Sequence, residues 1–324
     1  MPKYINPDII GRLAGIGFKA NQPVEGTIAG QHRSPLHGLS PEFADYRAYT
    51  PGDDLKNLDW KAYGRSDRFY VKRFEEESNL RAFLVVDDSA SMNYGDGQQN
   101  KFHCAATIAC SFAATLLRQR DAVGLSTVGR HINADLRPSG TSSQLAQVVE
   151  TLERTKCEGE TDLAPAVSII AEKVPPRGLI IVISDLLTDL EAFYESLGKL
   201  QYFGHEVMLL HVLHREEVEM PFNDSVIFRD IEGNEELFAE PWSFRTAYQA
   251  AMTTFIDEVR ERCHFCGIDY LQMMTDDDLG LRLSHFLHNR QFRGPTKHRG
   301  RMASLHKDEQ SDPPSQELMT NDET

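Results

Sequence analysis

The sequence predicts an α/β fold: a doubly wound, mostly parallel sheet, preceded by a smaller β-rich subdomain and carrying an inserted β-hairpin. Three observations predict it. From residue 81 to about 290, short β-branched runs alternate with longer helical patterns, the rhythm of βαβ units. "GLIIVISD" (178–185) is the most apolar strand, consistent with the centre of a parallel sheet covered on both faces. "SVIFRDIEGNEELFAEP" (225–241) breaks the rhythm with two short strands about Glu232, Gly233 and Asn234, which reads as a protruding hairpin.

Taken in order, "RAFLVVD" (81–87) reads as a buried strand and "KFHCAATIACSFAATLLRQR" (101–120) as an Ala-rich, mostly buried helix. "AVGLSTV" (122–128) and "HINADLRP" (131–138) flank Gly129 and Arg130, a two-residue hairpin signal. Helical patterns follow at 142–154 and 162–174, then the apolar strand, a helix near 189–202 and the strand "EVMLLHVL" (206–213). After the hairpin, a long helix over about 243–265 ends near Gly267, a residue suited to the left-handed position that closes helices. "IDYLQM" (268–273) is a last strand and 277–290 a last helix. Residues 1–80 mix Gly, Pro, aromatics and charges without long periodic segments and form the expected β-rich subdomain. Residues 293–324 hold no aromatic residue and are expected to be disordered, having too little apolar surface to offset ordering entropy.

A net charge of −15 over 324 residues argues against a general binder of nucleic acid or anionic membrane, which needs a positive field. No run approaches the roughly 18 apolar residues of a membrane helix, and the N-terminus lacks the apolar core of a signal peptide. Five cysteines make no disulfide framework, so a cytoplasmic location is expected.

The chemistry sits at strand ends. In open α/β sheets, ligands bind beyond the carboxyl ends of the strands. "LVVDDSASM" (84–92) leaves its strand through Asp87, Ser89 and Ser91, and alternate residues of an extended segment point the same way. "GETD" (159–162) places Thr161 before a helix, and Asp185 closes "IIVIS". If the strands starting at 81 and 179 are neighbours, Asp87, Ser89, Ser91, Thr161 and Asp185 converge above the sheet. Such an all-oxygen set suits a hard cation: Mg²⁺, with Mn²⁺ or Ca²⁺ also acceptable. With only two formal negative charges the ion would stay electrophilic, open to a carboxylate from another molecule. An ordinary strand–loop–helix junction, with Ser and Asp as turn and cap residues, is the plainer alternative.

"VVDDSASM", "GETDLAPAV" and "IVISDL" resemble the metal-ion-dependent adhesion site of von Willebrand factor A domains. The resemblance implies that Ser89, Ser91 and Thr161 ligate Mg²⁺ while Asp87 and Asp185 act directly or through water. Upstream, residues 30–79 are similar to the signature of the bacterial domain-of-unknown-function family 58. The matching positions are Glu42, Phe43, Arg47, Tyr49, Gly52, Asp53, Asp54, Asp59, Trp60, Arg65 and Glu75 to Glu77. That likeness implies a von Willebrand factor A-like fold and, as a partner, a MoxR-type AAA+ ATPase in protein assembly or remodelling. Many relatives carry N-terminal membrane helices; none is evident here, which points to a soluble form.

The expected function is therefore a non-enzymatic, metal-dependent protein-interaction module that captures an Asp or Glu of a partner. One alternative is a metal-dependent hydrolase with Asp87 as nucleophile. It lacks a phosphate clamp, because no Lys, Arg or His lies within the 87–91 loop. The other alternative is a scaffold with a vestigial site. The aromatics of 43–74 are expected to form the core of the N-terminal subdomain, whose charges nearly cancel. "CHFC" (263–266) reads as helix-end cysteines, not a zinc or redox motif, since His285 and His288 fall on another helix. Cys104 and Cys110 read as core, "EEVE" (216–219) as a solvated connection, and His205 and His211 have no evident partner.

Overall fold

The computed structural model describes residues 2–19, 29–33, 43–50, 58–66, 68–74, 77–229 and 236–292. The chain opens on helix α1 (Pro7–Ile16). Asn6 caps it, accepting from the Asp8 and Ile9 amides, and Pro7 occupies the first turn, where a missing N–H costs nothing. Strands β1 (Ala29–Arg33) and β2 (Phe43–Ala48), helix α2 (Trp60–Ser66), β3 (Tyr70–Phe74) and β4 (Glu77–Ser78) follow. β1 pairs with β4 and β2 with β3, both antiparallel.

The main sheet begins with β5 (Arg81–Asp87), followed by α3 (Lys101–Arg118), β6 (Ala122–Val128), β7 (Ile132–Ser139), α4 (Gln144–Arg154), α5 (Leu163–Lys173) and β8 (Leu179–Ser184). Then come α6 (Leu190–Tyr202), β9 (Glu206–Leu213), the short α7 (Arg215–Glu219), the hairpin β10 (Val226–Arg229) and β11 (Glu236–Ala239), α8 (Pro241–Cys266), β12 (Asp269–Met274) and α9 (Leu279–Phe292). The six strands lie in the order β12-β9-β8-β5-β6-β7, parallel except for β7, which runs antiparallel to β6. The expected adjacency of the strands starting at 81 and 179 holds: Val86 pairs with Ile183. Gly267 caps α8 with φ 71°, in the left-handed region.

Strand alternation divides the core into two layers. Leu84, Val86, Ile181, Ile183, Met208 and Leu210 face one layer, packed by α1, α3, α4 and α9 through Leu13, Phe112, Leu152 and Leu283. Phe83, Val85, Ile180, Val182 and Leu209 face the other, under α5, α6 and α8 through Val167, Phe193 and Val259. With both faces covered, β8 and β9 are buried along their whole length, which is why their sequences are mostly apolar, with Ser184, Glu206 and His211 as the polar exceptions.

α1 departs from the expected division at residue 80. Ile9 and Leu13, one helical turn apart, join the main core, and Phe18 meets Phe112 edge-to-face at 4.9 Å. Residues 4–18 therefore pack with the main sheet's helices. The upstream block holds helix as well as strand, and its aromatics are not all interior. Tyr63 stacks on Phe69 at 4.3 Å, yet Trp60 is 64% and Tyr46 51% exposed. A two-stranded ribbon with a two-turn helix has room for only some of these rings on its inner face. The expectation of a disordered 293–324 falls outside the described residues, as do Glu42, Gly52, Asp53, Asp54, Glu75 and Glu76, and the expected hairpin turn at Glu232, Gly233 and Asn234. Among the described residues, no helix is long and apolar enough to cross a membrane.

Candidate functional site

Asp87 is the last residue of β5 and is fully buried. Its two oxygens are claimed separately. Oδ1 accepts from the Ser89 amide at 3.0 Å and from Thr161 Oγ1 at 3.3 Å, while Oδ2 accepts from Ser184 Oγ at 2.5 Å. After Asp87 the chain turns through a short 3₁₀ segment, Ala90–Asn93, which brings the Ser89 and Ser91 hydroxyls to 2.9 Å from each other. The Ala90 amide donates to the Gly159 carbonyl at 2.9 Å, tying this loop to the one that carries Thr161. Four of the five expected residues, Asp87, Ser89, Ser91 and Thr161, thus stand together at the end of β5. Asp87, Ser89 and Asp185 are closed off from solvent, Ser91 retains 6% exposure, and Thr161 is half-buried at the rim.

Asp88 faces away, as alternation requires. Both its oxygens accept from Asn133 Nδ2 of β7, at 2.9 and 3.0 Å, and it borders a cleft of about 700 Å³ with Thr127, Thr151 and Lys156. Gly129, which turns β6 into β7, sits close to this carboxylate: a Cβ would lie 3.1 Å from Asp88 Oδ1, so the carboxylate would have to shift slightly to admit one.

Asp185 is close enough for its charge to raise the pKa of Asp87. Its own carboxylate is engaged elsewhere. Oδ2 accepts from Lys101 Nζ at 2.7 Å and Oδ1 from the Leu187 amide at 3.2 Å. Lys101, the first residue of α3, is wholly buried, and its ammonium also reaches Glu217 Oε1 of α7 at 2.5 Å and stands 5.8 Å from the Tyr94 ring centroid. Burial alone would push this ammonium's pKa down, but Asp185 and then Glu217 more than offset that, leaving it raised. Glu217 is in turn fixed: its Oε2 accepts from the His214 amide at 2.9 Å, and its carbonyl accepts from Tyr248 Oη at 2.6 Å. The "EEVE" segment, expected as a solvated connection, is a short helix whose Glu216 and Glu219 are exposed while Glu217 turns inward as the second anion for Lys101.

Burial pushes the Asp87 carboxyl up to about 7, and the Asp185 charge pushes the same way; the hydrogen bonds from Ser184 and Ser89 act against both. His211 holds the neighbouring backbone. A carbonyl can only accept, so Nε2–H donates to Asp185 O at 3.0 Å, leaving Nδ1 to accept from Tyr270 Oη at 2.8 Å. Burial drives its pKa down to about 4, so it stays neutral. His205 Nδ1 accepts from the Gly178 amide at 3.1 Å.

Sequence reasoning missed Ser184, Lys101 and Glu217. Ser184 precedes Asp185 directly, and its place beside Asp87 was implicit once β5 and β8 were taken as neighbours. Lys101 carried no such signal, since lysine at a helix start ordinarily faces water.

The donor chemistry fits a hard cation: one carboxylate, Asp87, that makes no ion pair among the described residues, three hydroxyls, and a second carboxylate close by. Among the described residues, no group of three or more His, Cys, Asp or Glu is arranged to hold a metal ion, so an ion here would rest largely on hydroxyls. Cys263 is buried and Cys266 half-buried at the end of α8. Burial pushes the thiols of Cys104, Cys110, Cys157 and Cys263 up to about 12. Native protein at pH 8 is therefore expected to show at most one fast-reacting thiol, the half-buried Cys266, with a reagent such as Ellman's, and all five thiols should react in denaturant. More than one fast native thiol would mean that a buried cysteine is more accessible than its packing indicates.

A family model described as "Protein of unknown function DUF58" matches residues 45–255. The chain is 26% identical over 280 residues to "Uncharacterized protein Rv1480" of Mycobacterium tuberculosis, covering 84% of this chain and 87% of that one. It is 29% identical over 101 residues to "Uncharacterized protein YeaD" of Bacillus subtilis, covering 31% and 23%. Among solved structures, "conserved hypothetical protein BatB" from Bacteroides thetaiotaomicron aligns with a TM-score of 0.43 at 16% identity, over 66% of this chain and 99% of that one. The SpRpn10 VWA domain aligns with a TM-score of 0.31 at 14% identity, over 41% and 75%.

Proposed function

The chain belongs to the DUF58 family of proteins of unknown function, and from that premise we propose that it is a metal-dependent protein-interaction module that acts without turnover. Asp87, Ser89, Ser91 and Thr161 would hold Mg²⁺ or a similar cation, with Asp185 beside them, and the bound ion would supply an electrophilic point for an Asp or Glu of a partner protein. The observation that carries this reading is the hydroxyl cluster at the end of β5: Ser89 and Ser91 2.9 Å apart, with Thr161 on the Asp87 carboxylate. Oxygen donors of low total charge leave an ion in need of a further anion. The family resemblance adds a MoxR-type AAA+ ATPase as partner and assembly or remodelling of proteins as the process.

Lys101 supplies a cation near the site and so bears on the hydrolase alternative. Its ammonium has no exposure and is held by two carboxylates, so it presents nothing to an incoming phosphate. The module remains the better reading.

Titration calorimetry with Mg²⁺ and Mn²⁺ tests it. Wild type is expected to bind one ion per chain, and replacing both hydroxyls, Ser89→Ala with Ser91→Ala, to weaken binding at least tenfold. A pull-down of a MoxR-type ATPase should depend on Mg²⁺ and reverse with chelator. Phosphatase turnover that disappears in Asp87→Ala would replace the module with an enzyme.

A further inference from the structure

We infer that Lys101 is the residue that sets the ion affinity of this site: its ammonium permanently occupies Asp185, so that a divalent ion is left with Asp87 as its one free carboxylate and must be completed by an acid from outside. The inference rests on the cation-holding reading above and deepens it.

The geometry points to a fixed device and not a mobile side chain. Lys101 Nζ lies 2.7 Å from Asp185 Oδ2 and 2.5 Å from Glu217 Oε1, and the lysine side chain has no exposure. Neither anion is free to turn away. Asp185 Oδ1 is held by the Leu187 amide, and the Asp185 carbonyl by His211. Glu217 is held through its other oxygen by the His214 amide. Its helix is pinned further by Tyr94 Oη, which donates to Glu216 Oε2 at 2.9 Å. The ammonium is thus enclosed between Asp185 and Glu217, each held by a further hydrogen bond.

The consequence is electrostatic. Two carboxylates at the ends of β5 and β8 would neutralise a divalent ion and let it bind tightly with no partner. With one of them already ion-paired, the bound ion keeps net positive charge, and the low dielectric of a buried site strengthens its attraction for an external carboxylate. Lys101 thus trades resident ion affinity for dependence on an acidic ligand. It touches neither ion nor partner and is a positioning residue.

The test is Mg²⁺ titration of full-length variants, read by calorimetry and by the Mg²⁺-induced rise in Tm. Lys101→Met, which releases Asp185, is expected to bind Mg²⁺ at least tenfold more tightly than wild type and to gain more in Tm from it. Glu217→Gln, which leaves the ammonium wholly to Asp185, should bind several-fold more weakly; it decides the matter alone if Lys101→Met does not fold. Lys156→Met, an exposed lysine near the site, controls for a general change in charge and should stay within twofold. Wild-type binding with Lys101→Met no tighter, or Glu217→Gln unchanged, overturns this inference and leaves the cation site standing. Absence of binding in wild type and Lys101→Met alike overturns both. Binding by Lys101→Met alone supports the inference in its strongest form.

Discussion

Asp185→Ala is expected to destabilise the fold by about 3–5 kcal/mol, the range for removing one partner of a buried ion pair. The cause is the charge left behind. Lys101 has no exposure, and without Asp185 its ammonium would depend on Glu217 alone. The Leu187 amide would lose its acceptor as well. Asp185→Asn keeps an oxygen for Lys101 and should cost less, which separates loss of charge from loss of contact. Urea unfolding followed by circular dichroism reads the difference as a lower midpoint at unchanged slope. Since whole domains are stable by only about 5–15 kcal/mol, such a loss would be visible as poor expression. A change below about 1 kcal/mol, the level of exposed ion pairs, would show that water reaches Lys101.

The ion pair behind this expectation is invisible in the sequence, although its frame is not. The alternation of apolar runs and helical patterns located the strands of the main sheet, because a two-sided sheet leaves short, mostly apolar runs set between longer helical periods. The spacing of Asp87, Ser89 and Ser91 was also legible, since extended backbone sends alternate residues the same way. What a one-dimensional string hides is the partner brought in by packing. Lys101 lies well past Ser91 in the chain, at the start of a helix, and it turns inward because α3 begins against Asp185 at the end of β8 and Glu217 of α7. Glu217 sits in a run of acids that, read alone, belongs in water. α1 is a different kind of miss. Asn6, Pro7 and Asp8 form an N-terminal cap signal, and Ile9 and Leu13 share a helix face, so the helix was there to be read in a segment that otherwise lacks periodicity.

Asp87→Asn is expected to abolish cation binding and, in the absence of cation, to raise stability above pH 7. The two effects have one origin. Burial, reinforced by the Asp185 charge, lifts the Asp87 carboxyl from an ordinary 3.8 to about 7 in the folded chain. A group whose folded pKa is raised binds its proton more tightly folded than unfolded, so the metal-free protein loses stability as pH climbs from about 4 to about 7 and bears the full cost above that. A shift of that size corresponds to a few kcal/mol, on the order of 4, at 1.36 kcal/mol per unit. Asparagine removes the charge and keeps the contacts: its oxygen can still accept from the Ser89 amide and Thr161 Oγ1, while at Ser184 the direction reverses, the asparagine amide donating to Ser184 Oγ. A bound divalent ion reverses the sign, because it stabilises the ionised carboxylate; the rise in Tm on adding Mg²⁺ to wild type should therefore be larger at pH 8 than at pH 5.5, and absent in Asp87→Asn at either pH. Melting curves of both proteins, with Mg²⁺ and with chelator, decide it. A variant less stable than wild type at pH 8 in chelator would mean that the ionised Asp87 is held by the fold itself, through the Ser184, Ser89 and Thr161 hydrogen bonds, and that no cation is needed to keep a charge at the end of β5.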